Sequence, residues 1–431
     1  MTEYARPAVR AQVVEYVGRG LFLEFHATAE SGIPPFIHPL RNGANIAAAR
    51  EILDEGLRRV KEELPTPPTS MSDFSRVSER LLTMGRMLIY GLIGAQPRSV
   101  EELGRFWRSA VPTWQLGGVP ALVQCLGDKA SMLPLELLPV FQMGGAPASS
   151  RSEFVAQCDA FVGFSCIVSR TLLPTAPRLG VTLRRNGEGK VPIRYLHHER
   201  LVGARSELDW LRSTTATCVD IEGPYPSTEA QEPSLAEQIF DPCLLLKGGR
   251  RSMSDQIQHF SCHCYTRLNE PSWKYEMQLR GAGRNVRITI GELGAELVRL
   301  AAEQNEHGQP SDHEADKPLV VMNACGTSRL NSISAVSFPA LFLEDNNNRG
   351  FIGTEIDIPD DVASTFSRFL YTELFLRSCS LGEAVRRARR QLLERFGNPL
   401  GLAYSLYADP DTRVEPAPVV LRSLDEREPL R

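Results

Sequence analysis

The chain has 431 residues, of which 42% are hydrophobic and 23% are charged, and its formal net charge is −4. A chain of this length can fill two or three domain cores, and its charge balance argues against a general basic surface for nucleic acid or membrane. The nine cysteines are scattered and odd in number, which does not fit a disulfide framework and favours a reducing cytoplasm. The polar amino terminus predicts no signal peptide, and no apolar run reaches the roughly 18 residues that a membrane span needs.

The first part of the chain predicts strands, helices and loops in alternation. Two short strands joined by a Gly-Arg-Gly turn are predicted over residues 10–26, and another strand over 122–126. Apolar periodicity predicts helices over 44–63, 73–93 and 99–107. Alternating apolar residues predict a strand over 154–167. The strongest hairpin signal lies at 180–195, because Asn186-Gly187 between two apolar runs is typical of a type I′ turn.

The second part shows shorter apolar runs separated by longer amphipathic segments. Strands are predicted over 256–262, 274–279, 318–324 and 350–353. Helices are predicted over 204–212, 234–239, 292–304, 336–343, 360–376 and 380–396. Strands that alternate with helices at this spacing predict an α/β fold with a parallel sheet.

One strand ends next to a cysteine. The segment from Pro318 to Ala324 is largely apolar and predicts a buried strand, which places Cys325 where the chain leaves the sheet. Sites in α/β proteins form at the carboxyl ends of strands, and Gly326 allows a sharp turn there. We interpret Cys325 as a nucleophile; the alternative is a small buried residue without chemistry.

A histidine lies at the end of an earlier predicted strand. His263 closes the run that begins at Gln256, and two neighbouring parallel strands would bring it beside Cys325. The separation, 325 − 263 = 62 residues, leaves room for a crossover helix over 292–304. His263 could deprotonate the thiol, or it could be a hydrogen-bonded core residue.

A metal site is the second alternative for this segment, which holds His259, Cys262, His263 and Cys264. Adjacent ligands on a strand point to opposite faces, and no second ligand pair follows. The sequence therefore predicts no metal and no other cofactor.

Several segments resemble those of CHAT-domain proteins, which are relatives of caspases and separase. His259-Phe-Ser-Cys-His263 resembles the family's HFxxHG segment, and Asn323-Ala-Cys325-Gly-Thr327 resembles the end of its LSACxT segment. Further matches follow the family's order at 133–138, 203–207, 352–360, 369–371 and 381–389. The resemblance runs from about residue 80 to 410 and leaves 1–75 unexplained.

The resemblance implies a caspase-like three-layer α/β sandwich with a mainly parallel central sheet, preceded by a degenerate, pseudo-protease-like half. We accordingly predict an N-terminal segment of unknown role (1–75), a pseudo-protease-like half (76–200), a catalytic half (201–410) and a polar tail (411–431).

The resemblance also implies the roles of individual residues. Cys325 would be the nucleophile and His263, rather than His259, the base. The backbone N–H groups of Cys325 and Cys264 would form the oxyanion hole, although the family has glycine in place of Cys264. Asp357 and Asp360 would bind a basic P1 residue; the alternatives are a surface turn for Asp357 and a helix cap for Asp360.

These implications together predict a cytoplasmic cysteine endopeptidase that cleaves a protein substrate after activation by a partner or signal. Bacterial CHAT proteins often serve in defence, so the resemblance extends to an antiviral role. The alternative is a catalytically silent caspase-like interaction module. Neither a nucleic acid nor a membrane is expected as a partner.

Overall fold

The computed structural model describes residues 7–40, 44–64, 70–112, 119–128, 131–173, 182–227, 232–244, 251–265, 271–306, 317–324 and 337–417. Most of its strands belong to two sheets, which follow one another along the chain. In the described part, no helix combines the length and apolar character that crossing a bilayer requires.

The first sheet has the strand order β3-β2-β1-β4-β5. Its strands are β1 (Val9–Tyr16), β2 (Gly20–Ala27), β3 (Phe36–Pro39), β4 (Leu122–Gly127) and β5 (Ile167–Leu172). The first three are antiparallel, whereas β4 pairs in parallel with β1 and with β5. The predicted strand pair at residues 10–26 is confirmed, and its turn uses Gly18 and Gly20 at positive φ values of 76° and 92°.

Five helices accompany this sheet: α1 (Ala44–Glu63), α2 (Met71–Ile93), α3 (Pro97–Ala110), α4 (Arg151–Cys158) and α5 (Val162–Ser165). The strand predicted over 154–167 is wrong, because α4 and α5 occupy most of it. Ser150 caps α4 by accepting a hydrogen bond from the backbone of Glu153. Phe154 and Cys158, one helical turn apart, are both buried.

The second sheet has the order β15-β14-β13-β9-β7-β8. Its strands are β7 (Val191–His197), β8 (Val219–Tyr225), β9 (Ile257–Ser261), β13 (Leu319–Met322), β14 (Gly350–Thr354) and β15 (Tyr404–Ala408). All neighbours are parallel except β14 and β15. The predicted α/β class with a mainly parallel central sheet is confirmed.

Helices cover both faces of the second sheet. They are α6 (Val202–Thr214), α7 (Leu235–Phe240), α8 (Ile290–Glu306), α9 (Phe338–Ala340), α10 (Asp360–Tyr371) and α11 (Leu381–Phe396). Pi-helical turns follow α9 at Leu341–Asp345 and α10 at Thr372–Leu376. On β9, the side chain of Gln258 bonds to α7 while its neighbour His259 contacts α6 and α10. The sheet is therefore the middle of three layers.

The predicted hairpin at 180–195 is wrong. Strand β6 (Thr182–Leu183) pairs in parallel with β16 (Arg413–Val414), and β7 pairs with β8 and β9. Asn186 does form a local turn, since its side chain accepts hydrogen bonds from the backbone of Glu188 and Lys190. The turn at Asn186 was therefore predicted correctly, but the strands on either side of it belong to different sheets.

A small antiparallel sheet carries β10 (His263–Tyr265), β11 (Glu276–Gly281) and β12 (Arg284–Thr289). It begins two residues after β9 ends. The first residue of β10 is His263, so this sheet extends from the edge at which β9 leaves the central sheet.

A buried cluster of charges connects the two large sheets at β5 and β15. Arg170 donates hydrogen bonds to Glu136 at 2.7 Å and to Glu355 at 2.5 Å. Ser405 adds a bond to Glu355 at 2.6 Å, and Ser169 donates to the carbonyl of Ala408 at 2.8 Å. Strands β5 and β15 are edge strands of their sheets. The two sheets therefore meet at these edges through hydrogen-bonded polar groups. The division at residues 75, 200 and 410 stays a prediction.

Candidate functional site

The candidate site lies where β9 and β13 end. These strands are parallel neighbours, and their ladder pairs Val321 with His259 and Met322 with Phe260. The backbone N–H of Asn323 then donates to the carbonyl of Phe260 at 2.8 Å. The predicted pairing of the strands that precede His263 and Cys325 is confirmed.

The end of β13 is fixed by its neighbours. Ala324 is 6% exposed, and its carbonyl accepts a 2.6 Å hydrogen bond from the hydroxyl of Thr354 on β14. Cys325 follows Ala324 in the sequence and lies outside the described residues. The chain that leads to the cysteine is thus held to both neighbouring strands.

His263 is half-buried at the start of β10, opposite Gln278 of β11. Burial lowers the pKa of its imidazole, and the carboxylate of Asp360 opposes part of that shift. The ring is therefore neutral at neutral pH, which is the state that a general base needs.

His259 has a different environment from His263. Its side chain is fully buried, its Nδ1 shares a 2.6 Å hydrogen bond with the hydroxyl of Tyr371, and its ring stacks on Tyr195 at a centroid distance of 5.0 Å. Its Nε2 lies 3.0 Å from Oε1 of Glu207. These contacts make His259 part of the packing beneath the sheet. Within the described ranges, no three His, Cys, Asp or Glu side chains form a group that could hold a metal ion.

Glu207 on α6 is the centre of a buried polar cluster under the ends of β9 and β13. Its side chain is fully buried and receives hydrogen bonds from Ser367, from the hydroxyl of Tyr195 at 3.3 Å and from the amide of Asn323 at 3.4 Å. Tyr404 donates to the other end of that amide at 2.7 Å. The cluster thereby fixes Asn323, which precedes Cys325 by two positions.

Cys264 packs into the core, where the resembling family has a glycine. Its side chain is 5% exposed, and its backbone lies opposite Met277 in the β10–β11 ladder. The side chain therefore belongs to the hydrophobic core. The role of its N–H group in an oxyanion hole stays a prediction.

The two acidic candidates differ in their surroundings. Asp357 is exposed between the buried residues Ile356 and Ile358. Asp360 accepts a 2.6 Å hydrogen bond from the backbone N–H of Gly203, in the first turn of α6. A carboxylate at that place stabilises the helix N-terminus, so Asp360 caps a neighbouring helix in addition to beginning α10. Binding of a substrate by either residue stays a prediction.

Sequence reasoning did not single out two residues of this region, His198 and Glu207. His198 follows directly after β7, the strand beside β9, and its ring packs against His263 with centroids 4.6 Å apart. The available signal was the His197-His198 pair at the end of an apolar strand. Glu207 falls within residues 203–207, one of the segments that resemble CHAT-domain proteins.

No protein-family model matches the chain. Over 94 residues it is 37% identical to a probable protease of Vitiosangium sp. (strain GDMCC 1.1324), a match that covers 22% of this chain and 12% of that relative. The similarity is thus confined to a small part of that relative.

Two solved structures show similarity of fold. The Arg-specific cysteine proteinase gingipain R matches over 73% of this chain and 68% of its own, at 10% identity and a TM-score of 0.41. A chain of the Saccharomyces cerevisiae separase–securin complex matches over 94% of this chain and 30% of its own, at 10% identity and a TM-score of 0.43.

Proposed function

We propose that this protein is a caspase-like cysteine endopeptidase of the CHAT type, with Cys325 as nucleophile and His263 as general base. The main support for this proposal is the register of β9 and β13, which pairs Phe260 with Met322. His263 and Cys325 each follow their paired residue by three positions (260 + 3 and 322 + 3). The local match to a probable protease supports the same activity.

The chemistry follows from these two groups. His263 accepts the proton of the Cys325 thiol, and the thiolate attacks the peptide carbonyl. The tetrahedral intermediate collapses as the imidazolium gives its proton to the leaving amine, which leaves a thioester. His263 then removes a proton from water, the hydroxide attacks the thioester, and the acid product and the thiol are released.

The test is incubation of the protein with a peptide library, either alone, with lysate of uninfected cells or with lysate of phage-infected cells. Mass spectrometry identifies the cleavage products. The family resemblance is the basis for proposing activation by a partner or signal and a role in antiviral defence. If both hold, cleavage is greater with infected lysate than with uninfected lysate. Peptide ends that are absent from the lysate alone but arise with the Cys325→Ala variant would contradict the assignment.

Thiol labelling tests the nucleophile without any substrate. Burial raises the pKa of Cys125 to about 11 and that of Cys166 to about 12, so both thiols stay protonated at neutral pH. We expect iodoacetamide at pH 7 to label Cys325 at least about tenfold faster than either, since the thiolate is the reacting form. Peptide mapping by mass spectrometry over time measures each rate.

The His263→Ala variant is the control for this labelling. It should slow the labelling of Cys325 while leaving the slow labelling of Cys125 and Cys166 unchanged. Labelling of Cys325 at the rate of the two buried thiols would argue against an activated nucleophile.

Asp357 is proposed to recognise a basic P1 side chain because it is exposed in the loop after β14, the strand beside β13. We expect Asp357→Lys to lower kcat/KM for a peptide with arginine at P1 by about tenfold or more, because like charges then meet in the pocket. Paired fluorogenic peptides with arginine or glutamate at P1 measure the change. Asp361→Lys, which alters an exposed acid four residues away, should have little effect; equal losses from both variants would contradict the assignment.

A further inference from the structure

His198 is tied to the strand that leads to His263. Its backbone N–H donates a 2.9 Å hydrogen bond to the carbonyl of Ser261, the last residue of β9, and its carbonyl accepts one from Leu201 at 2.9 Å. It also forms an isolated bridge with Arg280 of β11. The backbone of His198 therefore cannot shift without moving the segment that carries His263.

The two imidazole rings meet edge to face. Their centroids are 4.6 Å apart and their planes are inclined by 69°. His198 is 5% exposed, and its Nδ1 is buried without a hydrogen-bond partner in the described part of the chain. The Nδ1 of His197 is in the same state, so the ring contact with His263 is what distinguishes His198.

We propose that His198 is a positioning residue for His263. Its ring fixes the plane of the His263 imidazole, and its Nδ1 accepts a hydrogen bond from the ring N–H of His263 once that ring is protonated. This role rests on the proposed function, in which His263 takes the proton of Cys325. It corresponds to the third group that orients the base in other nucleophilic sites.

The charges around the pair agree with this role. Burial is the main cause that lowers the pKa of His198 to about 4, and the neighbouring His263, Arg280 and Arg200 lower it further, against Glu199. At His263, burial also lowers the pKa, and the carboxylate of Asp360 opposes that shift. Burial therefore keeps the His198 ring neutral at neutral pH, and a neutral imidazole protonated on Nε2 leaves Nδ1 as an acceptor.

The first experiment is an NMR titration of the histidine rings, with the His263 signal assigned from a His263→Gln variant. His198→Phe keeps a buried ring and removes the acceptor, so we expect the pKa of His263 to fall by about 0.5 to 1. His198→Gln retains an acceptor and should return the pKa of His263 towards its wild-type value. His197→Phe is the matched control, because His197 is equally buried but its ring lies beside Tyr195.

The second readout is peptide cleavage. His198→Phe should lower kcat about tenfold with little change in KM, and His198→Gln should recover part of the loss. An unchanged titration of His263 in His198→Phe, or an equal shift in His197→Phe, would overturn the inference. Cleavage that survives Cys325→Ala would refute the proposed function. The NMR titration does not depend on proteolysis, so it would still test the contact between the two histidines.

Discussion

Cys325→Ala is expected to lower kcat/KM for peptide cleavage by at least about 10³-fold, and His263→Ala by a similar factor. Without the sulfur no thioester forms, and without the imidazole the thiol keeps its proton at neutral pH. Because the two residues act as one unit, the double variant should be no slower than the slower single variant. Initial rates with a fluorogenic peptide chosen from the library measure all three.

Cys218→Ala is the matched control for this comparison, since Cys218 is a half-buried thiol at the end of the turn before β8. It should leave the cleavage rate within about twofold of wild type. The wild-type rate should rise with pH through the pKa of His263, which burial places below its ordinary value. Cleavage that persists in Cys325→Ala, or an additive loss in the double variant, would contradict a coupled dyad.

Glu207→Ala is expected to lower the free energy of unfolding by about 3–5 kcal/mol, because it leaves a cavity in the core and removes an acceptor from buried donors. The side chain is fully buried and accepts hydrogen bonds from Ser367, Tyr195 and Asn323. Its removal takes an acceptor from the amide of Asn323 and a nearby carboxylate from Nε2 of His259. Tyr195 keeps the carbonyl of Ala204 at 2.8 Å, and Ser367 keeps that of Ala363 at 3.2 Å. Chemical denaturation followed by circular dichroism measures the loss.

Two further variants separate charge from packing at this position. Glu207→Gln keeps the shape and one acceptor and should cost less, about 1–3 kcal/mol. Asp209→Ala removes an exposed acid from the same helix and should change stability by less than about 0.5 kcal/mol. If Glu207→Ala were as stable as Asp209→Ala, the cluster would not support the end of β13.

The pairing of the two strands that lead to the candidate dyad could be predicted from the sequence. A continuous apolar run is typical of a strand buried on both faces, and the segment between His263 and Cys325 is long enough for a parallel crossover. Helices α1 and α2 were also predicted nearly to their ends. Their apolar residues recur over more than four turns, so the periodic signal is strong.

Short elements and long-range contacts could not be predicted in this way. Helix α4 spans only two turns, and its apolar residues also fit strand alternation. Strand β6 finds its partner at β16, more than two hundred residues later, and no local pattern at Asn186 encodes that choice. The contact between His198 and His263 likewise depends on the order of β7 and β9 in the sheet, which neither sequence segment specifies.

The buried bonds of Arg170 have a consequence for how this chain can diverge. Glu136, Arg170 and Glu355 come from distant parts of the sequence but form one electrostatic unit. Loss of Arg170 would leave both acids in the interior without this cation, so the three positions should change together. A chimera that joins the first half of this chain to the second half of a relative would need an acid at position 355 to keep both carboxylates on Arg170. Recombination that exchanges the two halves between related chains should therefore succeed best where both chains carry these three residues.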